Sequence, residues 1–447
     1  MSVPEKIVDG TGTTSRENVS ILVVGAAVDQ ETMEILKRVD PMPQVQTYRF
    51  HWAIIRSIEA AGGAVDIVST VPIRDYPFTR KIFWGWKRIQ REGVGSGGFT
   101  IMPFINLLGL KQITRFISSF FFSFLWLWRH RKEPRKVLLL YGLIVSHLYS
   151  AVLLRRLFGC KIIAIVTDPP SKKRSDESVI YLPARAADQR LLERILHSLD
   201  GLVALTEPTS RMLAPKVPAI VVEGIISNEV EQFLAEPHTT ESDPGGQFVI
   251  MYAGQMDEQV YGIEILLDAF KLINDANMAL WLFGQGNLSE KVREAACRDS
   301  RITYWGFHKS DSVVLSHIMQ ASVMVVPRPL DQWVSLYSFP SKVLEYLAMG
   351  KITVCARLGG IPPEYYPHLV LADEMNATSL AKALREVAGW SLEKKLQVEA
   401  AVKSFAWSSK THEQQGRRMC DFINSIAGNA LDLKTQNPVY PAVPFRS

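Results

Sequence analysis

Cysteine is scarce in this sequence, and what there is does not cluster. Four cysteines, Cys160, Cys297, Cys355 and Cys420, are scattered over 447 residues, with no Cys-x-x-Cys pair and no histidine cluster beside them. That spacing argues against a disulfide framework and a structural zinc site, and a reducing compartment is the simplest reading. Long apolar runs are also missing. The most apolar stretch, Phe116 to Trp128, falls short of the roughly 20 residues a spanning helix needs. The opening segment MSVPEKIVDGTGTTSREN has no basic region leading into an apolar one, so no secretory signal is read and a cytoplasmic location is expected. Charge of one sign is not in excess: the net +5 is mild. Its basic residues interleave with a contiguous apolar run rather than with spaced stacking aromatics, which points away from nucleic acid. Short-period repeats and low-complexity tracts are absent.

What is present is globular: 47% hydrophobic and 21% charged residues, ample material for a core. A chain this long is expected to form two or three domains. The first half contains short β-branched runs, SILVVGA (20–26), AVDIVST (64–70), VLLLYG (137–142), KIIAIVTDPP (161–170), GLVALTEP (201–208) and AIVVEGI (219–225). Helix-length material separates most of them, as a doubly wound parallel sheet requires. PHTTESDPGGQ (237–247) is polar and rich in Pro and Gly, the best linker in the chain. The alternation then restarts with FVIMYAG, MALWLFGQG, RITYWGF, VMVVPRP, ITVCARLGG and LVLAD. The expected organisation is a tail over 1–17, an α/β domain over 18–238, a linker over 239–247, a second α/β domain over 248–405, a C-terminal helix over 406–428 and a tail over 429–447.

In such sheets ligands bind outside the carboxyl ends of the strands. In the second half these ends are Gly254-Gln255, Gly284-Gln285-Gly286, Gly306-Phe307, Pro327-Arg328-Pro329 and Gly359-Gly360-Ile361-Pro362. The strongest segment is SFPSKVLEYLAMG, 338–350. Ser338 and Ser341 are expected to cap its helix, with Pro340 near the first turn and Gly350 past the end. The N–H groups and positive dipole end there suit an anion such as a diphosphate. Lys342 is unfavourable in a first turn unless an anion offsets it. Glu345, three residues on, shares its helical face and can accept bonds from ribose hydroxyls. A plain amphipathic helix with a wet Lys–Glu face accounts for the same residues. LFGQGN resembles a dinucleotide fingerprint but has Ser289 where a third glycine belongs, which argues against NAD.

These landmarks carry a resemblance. MYAGQMDEQVYGIEILLDAF, LWLFGQG, ITYWGF, VMVVPRP, SFPSKVLEYLAMGK and GGIPPE, in this order over 250–365, resemble the donor-binding half of glycosyltransferase family 4 (group 1), in particular its SFPSK-type members. The first half is similar only loosely, through QVQTYRFHWAIIRSIEAAGGAVDIVST and the strand ending in VTDPP. The resemblance implies a GT-B fold: two Rossmann-like α/β domains facing a central cleft, with a C-terminal helical segment. It implies a donor held in that cleft, with no metal and no cofactor. Carried over by position, Glu345 would hold the ribose and Lys342 the phosphates, with Gly254, Gln255, Arg328 and Ser338 around them. Gly284 and Gly286 would border the nucleobase or ribose pocket. Two departures stand out. The family's usual first glutamate is Tyr337 here, and the first loop has Gln255 and Tyr261 where many members have Arg and Lys. Retention or inversion is therefore open.

On the acceptor side Asp168, ending the VTDPP strand, is the candidate catalytic base, because an inverting transfer needs a group to deprotonate the acceptor hydroxyl. An Asp before two prolines also suits a turn. Glu207 is a second cleft-side carboxylate, and His51 and His147 are read as structural. Between Lys111 and Lys136 a basic set surrounds FISSFFFSFLWLW, with RHRK following it. That stretch reads either as a helix lying in an anionic lipid interface or as a buried core helix with a solvated basic turn. The leading expectation is a glycosyltransferase moving sugar from a UDP- or GDP-sugar to an acceptor hydroxyl, the acceptor being a sugar or a lipid-linked chain at the cytoplasmic face of the membrane. A GT-B nucleotide-sugar epimerase and a non-catalytic donor-binding module are the alternatives.

Overall fold

The computed structural model describes residues 19–41, 43, 45–91, 96–167, 190–236, 246–258 and 260–428. Among these residues the first half builds ten strands: β1 (Ser20–Gly25), β2 (Val65–Ser69), β3 (Phe83–Trp84), β4 (Lys87–Ile89), β5 (Ser96–Ile101), β6 (Phe104–Ile105), β7 (Lys136–Tyr141), β8 (Lys161–Val166), β9 (Gly201–Ala204) and β10 (Ala219–Val221). Eight of them form one sheet in the order β10-β9-β8-β7-β1-β2-β5-β4, parallel except for β4 at one edge. Side chains alternate across it. Ile21, Val23, Val137 and Leu139 point into one core layer, and Leu22, Val24, Leu138 and Leu140 into the other. Burial on both faces is why these strands read as unbroken apolar runs. β5 escapes that pattern because its sequence, SGGFTI, is half small residues. Gly97 is needed there, since a Cβ would come 2.5 Å from the Val65 carbonyl oxygen.

The second half forms a six-stranded sheet. Its strands are β11 (Phe248–Ala253), β12 (Met278–Phe283), β13 (Ile302–Gly306), β14 (Val323–Val326), β15 (Thr353–Cys355) and β16 (Val370–Leu371), in the order β13-β12-β11-β14-β15-β16. All of its pairings are parallel. Two Rossmann-like units thus face each other across a cleft, which is the GT-B arrangement.

The chain crosses back at its end. Helix Leu392–Ser409 packs on the second unit, and helix His412–Ala427 lies along helix Val45–Ala60 of the first. Met419, Phe422, Ile423 and Ile426 complete a core layer of the first unit. Gly416 allows the approach, since a Cβ there would sit 1.8 Å from the Ser57 carbonyl oxygen.

Helix Leu110–Arg129 is inverted relative to an ordinary surface helix. Lys111, Arg115, Ser119 and Ser123, spaced by four, are buried, while Ile113, Ile117 and Phe121 on another face are more than half exposed. Trp126 and Leu127 near its end enter the core, with Phe120, Phe122 and Phe124 packed partly buried against it. Beside it the β3–β6 ribbon and its flanks leave Phe78, Phe83 and Trp86 each about two-thirds exposed. Among the described residues no helix is long and apolar enough to cross a membrane.

Candidate functional site

The strand-end loops of the second unit are pinned to one another by backbone. Gly254 N–H donates to the Phe283 carbonyl at 3.0 Å, and Gly284 N–H to that of Gly306 at 2.8 Å. Met256 N–H donates to Gln285 O, and Leu288 N–H to Met256 O, both at 3.0 Å. Glycine is forced at two points. Gly284 has φ +135° and a Cβ would lie 1.8 Å from Gly254 O; Gly262 has φ +68° and a Cβ would lie 1.7 Å from Pro327 O. Either substituent would push two strand-end loops apart. Gly286 is similarly crowded by the Met256 backbone, 2.4 Å from a Cβ. The glycines therefore set the shape of the loop cluster itself.

Within that cluster Tyr252 donates its hydroxyl to Gln255 O at 2.5 Å, and Tyr261 donates to the Gln255 side-chain oxygen at 3.3 Å. Arg328 follows β14 and lies over the Tyr261 ring, 5.5 Å from its centroid. Its Nη1 is buried and meets no hydrogen-bond partner among the described residues. Burial lowers the Arg328 pKa, opposed by the nearby Tyr261 and Tyr252. An unpaired buried guanidinium N–H is costly unless an anion satisfies it.

Helix Ser341–Ala348 is held against β11 by the fully buried Tyr346, whose hydroxyl accepts from Ala253 N–H at 3.2 Å and donates to Ala253 O at 3.0 Å. One position earlier in the chain, Glu345 accepts Lys342 Nζ on both oxygens, at 2.8 and 3.0 Å. The unfavourable first-turn cation therefore has a partner on its own helix. Both side chains remain partly exposed, at 39% and 24%, so the pair can open towards a ligand.

Capping differs from the sequence expectation. Pro340 occupies the N-cap position, with no side-chain cap, and Ser341 is the first helical residue. Ser338 instead ends the short helix Trp333–Tyr337, and its carbonyl oxygen would lie 2.4 Å from a Cβ on Gly360. A proline between the two serines withholds the extended cap residue from both. The first turn's N–H groups consequently lack a side-chain cap.

Contacts across the cleft come from residues the sequence reading passed over. Thr206 and Thr209 both donate hydroxyls to the Tyr337 carbonyl, at 3.1 and 2.9 Å. Tyr337 thus ties helix Trp333–Tyr337 to the segment that follows β9. Its ring meets Trp333, with centroids 4.0 Å apart. Glu207 is engaged by Arg211 at 2.5 Å in an exposed pair. The Thr-Glu-Pro-Thr order was the available signal for a capped helix start, and Thr206 does cap it.

On the first unit, a cavity of about 340 Å³ opens at the ends of β1, β2, β7 and β8, lined by residues including Ala26, Thr70, Tyr141, Gly142 and Thr167. Asp168 lies outside the described residues. His51 and His147 are fully buried, and desolvation holds both neutral, lowering each pKa to about 3. His51 stacks on Tyr141 with ring centroids 3.8 Å apart, and His147 Nε2 is 3.1 Å from Thr70 Oγ1. Their packing accords with a structural reading.

Residues 247–389 match the family model described as glycosyl transferases group 1. No curated protein matches the chain in sequence. Among solved structures, the apo structure of OtsA is similar at TM-score 0.61 and 11% identity, over 92% of this chain and 100% of that one. A sucrose-phosphate synthase from Thermosynechococcus elongatus reaches 0.59 at 13% identity, over 91% and 99%. Anabaena HepE in complex with UDP reaches 0.55 at 11% identity, over 91% and 100%. At these identities the likeness establishes the fold.

Proposed function

We propose, for a chain that carries a group 1 glycosyltransferase domain on a GT-B fold, that it transfers sugar from a UDP- or GDP-sugar to an acceptor hydroxyl. The observation that carries this is the buried Nη1 of Arg328, without a hydrogen-bond partner among the described residues, beside the first donor-side loop. A diphosphate supplies the acceptor oxygen that this N–H lacks. In this reading Lys342 leaves Glu345 for the leaving phosphates and Glu345 turns to the ribose. The uncapped first turn of helix Ser341–Ala348 adds its N–H groups. Charge that develops on the departing diphosphate is then met by groups already in place, and activity is expected to survive a chelator. Anabaena HepE, solved with UDP and with UDP-glucose, is consistent with such a donor.

Asp168 is the proposed base for the acceptor hydroxyl; its neighbour in sequence, Thr167, lines the first-unit cavity. The acceptor is proposed to be lipid-linked or polysaccharide, met at the cytoplasmic face of a membrane. The outward face of helix Leu110–Arg129, with Ile113, Ile117 and Phe121, and the exposed Phe83 and Trp86 support that placement. Arg129, Arg131 and Lys132 follow the apolar stretch, where an anionic lipid surface would meet them.

The test is a panel of nucleotide-sugars read by thermal shift, with Arg328→Met, Lys342→Ala and Glu345→Ala beside the native chain. One donor should stabilise the native protein, and each substitution should weaken the effect. If no nucleotide or nucleotide-sugar shifts melting at millimolar concentration, the reading fails. Binding without release of nucleoside diphosphate in the presence of membrane extract would favour the non-catalytic module.

A further inference from the structure

Arg115 enters helix Leu110–Arg129 in the middle of an apolar sequence, yet it is only 8% exposed. Its Nη2 donates to the Val71 carbonyl at 2.9 Å, and the guanidinium lies over the Phe104 ring, 4.7 Å from its centroid. Its Nε is buried and meets no hydrogen-bond partner among the described residues. The same side chain lines the 340 Å³ cavity at the ends of β1, β2, β7 and β8, together with the threonines Thr47, Thr70 and Thr167.

Among the described residues the charge around it does not balance locally. Lys111, one turn earlier and also buried, is paired with Asp75, and Arg74 with Asp40 at 2.8 Å. Arg115 is left as the surplus cation. Burial lowers the Arg115 pKa to about 10, and among the described residues Asp75 is the carboxylate that opposes the shift, so the group is charged at neutral pH. His147 nearby is held neutral, by burial first and by the Arg115 charge second. A buried unbalanced guanidinium facing a polar cavity is costly unless an anion enters. A fork of N–H donors with hydroxyls around it matches the several oxygens of a phosphoryl group.

We propose that this cavity is an anion site in which Arg115 takes a phosphoryl group of the acceptor. That assignment rests on the glycosyl-transfer reading, which places the acceptor on this side of the cleft. The phosphoryl group can belong to a free sugar phosphate or to a lipid carrier. Arg115 shares its helix with the exposed Ile113 and Ile117, so a phosphate held inside and an acyl or prenyl chain outside would be served by two faces of one element.

The experiment uses the full chain carrying Arg328→Met and Lys342→Ala, which disables the donor site, with and without Arg115→Gln. One arm titrates inorganic phosphate and pyrophosphate by calorimetry. The other measures sedimentation with phosphatidylcholine vesicles containing or lacking a polyprenyl phosphate. Losing one charge-assisted bond should weaken binding about ten- to a hundredfold. Loss in the first arm supports the site with a soluble phosphate. Loss confined to polyprenyl phosphate vesicles supports it with a lipid-borne one. Equal binding by both proteins in both arms, or no binding in either, overturns the assignment. UDP binding by Arg115→Gln in the otherwise native chain separates this outcome from failure of the donor site. Should Arg115→Gln not fold, Arg115→Lys and Thr47→Val are read in its place: the first keeps the charge without the fork, the second removes one hydroxyl, and unchanged binding in both would sink the idea.

Discussion

The chain passes between its two units at two places, and a buried lysine clasps them together. Lys410 lies between helices Leu392–Ser409 and His412–Ala427, at the return crossing. Glu223 follows β10 on the outward crossing, and the two charged groups meet at 2.6 Å with side chains 2% and 1% exposed. Lys410 also reaches Glu364 of the second unit, which is half exposed. Tyr365 donates its hydroxyl to Glu223 at 2.7 Å. Backbone joins in: Ile226 N–H donates to Lys410 O, and the Gln415 side chain to Gly224 O, both at 2.9 Å. The two substitutions are unequal for a physical reason. Lys410→Met leaves the buried Glu223 carboxylate, among the described residues, with the Tyr365 hydroxyl alone, and should cost about 3–5 kcal/mol. Glu223→Gln keeps the acceptor for Tyr365 and leaves Lys410 its bond to Glu364, and should cost about 1–2 kcal/mol. Combining Lys410→Met with Glu223→Met removes both charges and should recover a large part of the lysine's loss. Urea unfolding followed by tryptophan fluorescence and far-UV circular dichroism measures this, with coincident transitions required before a single free energy is taken. A cost below about 1 kcal/mol for Lys410→Met, or an equal cost for Glu223→Gln, would refute the asymmetry and with it the clasp.

Acid should weaken the first unit. His51 and His147 have folded pKa values lowered from 6.5 to about 3, so only the unfolded chain takes up their protons in that window. Stability is then complete above pH 6.5 and falls as pH drops towards 3, by about 2 kcal/mol per histidine at pH 5; a pH series of urea midpoints should lose part of its slope in His51→Leu. Gly262→Ala and Gly284→Ala should each cost at least about 2 kcal/mol, and nucleotide binding by any folded fraction should fall, because the added Cβ meets backbone oxygen of a neighbouring loop. Replacing both Thr206 and Thr209 by valine takes two donors from the Tyr337 carbonyl. We expect a loss of about 1–3 kcal/mol and a higher KM for donor, with no change in binding at the first-unit cavity.

Much of this architecture is written in local pattern. Strands buried on both faces need unbroken apolar runs, so β1, β7, β8, β11, β12 and β14 are legible one residue at a time. So is helix Ser341–Ala348, whose Lys342 and Glu345 stand three apart and do pair. Edge elements are less legible: β5 is half glycine and serine, and its pairing with β2 depends on a backbone approach that only the assembled sheet reveals. Capping by Ser338 and Ser341 was a reasonable local expectation, but Pro340 takes the cap position. Gly262 looks like an ordinary loop glycine until the Pro327 backbone is placed beside it. The apolar stretch 116–128 left two readings open, and the burial of its helix faces is a tertiary matter. A polar stripe of Lys111, Arg115, Ser119 and Ser123, spaced by four, could have signalled an inverted helix, yet which face turns inward depends on what lies beneath it. The same holds for Lys410, which is one more charge near a helix end in the sequence. Local composition specified the strands and the helices, because those depend on neighbours within a few positions. Which charges are buried, and which are left without partners, was decided by the tertiary structure, because solvent exclusion is a property of the packed whole.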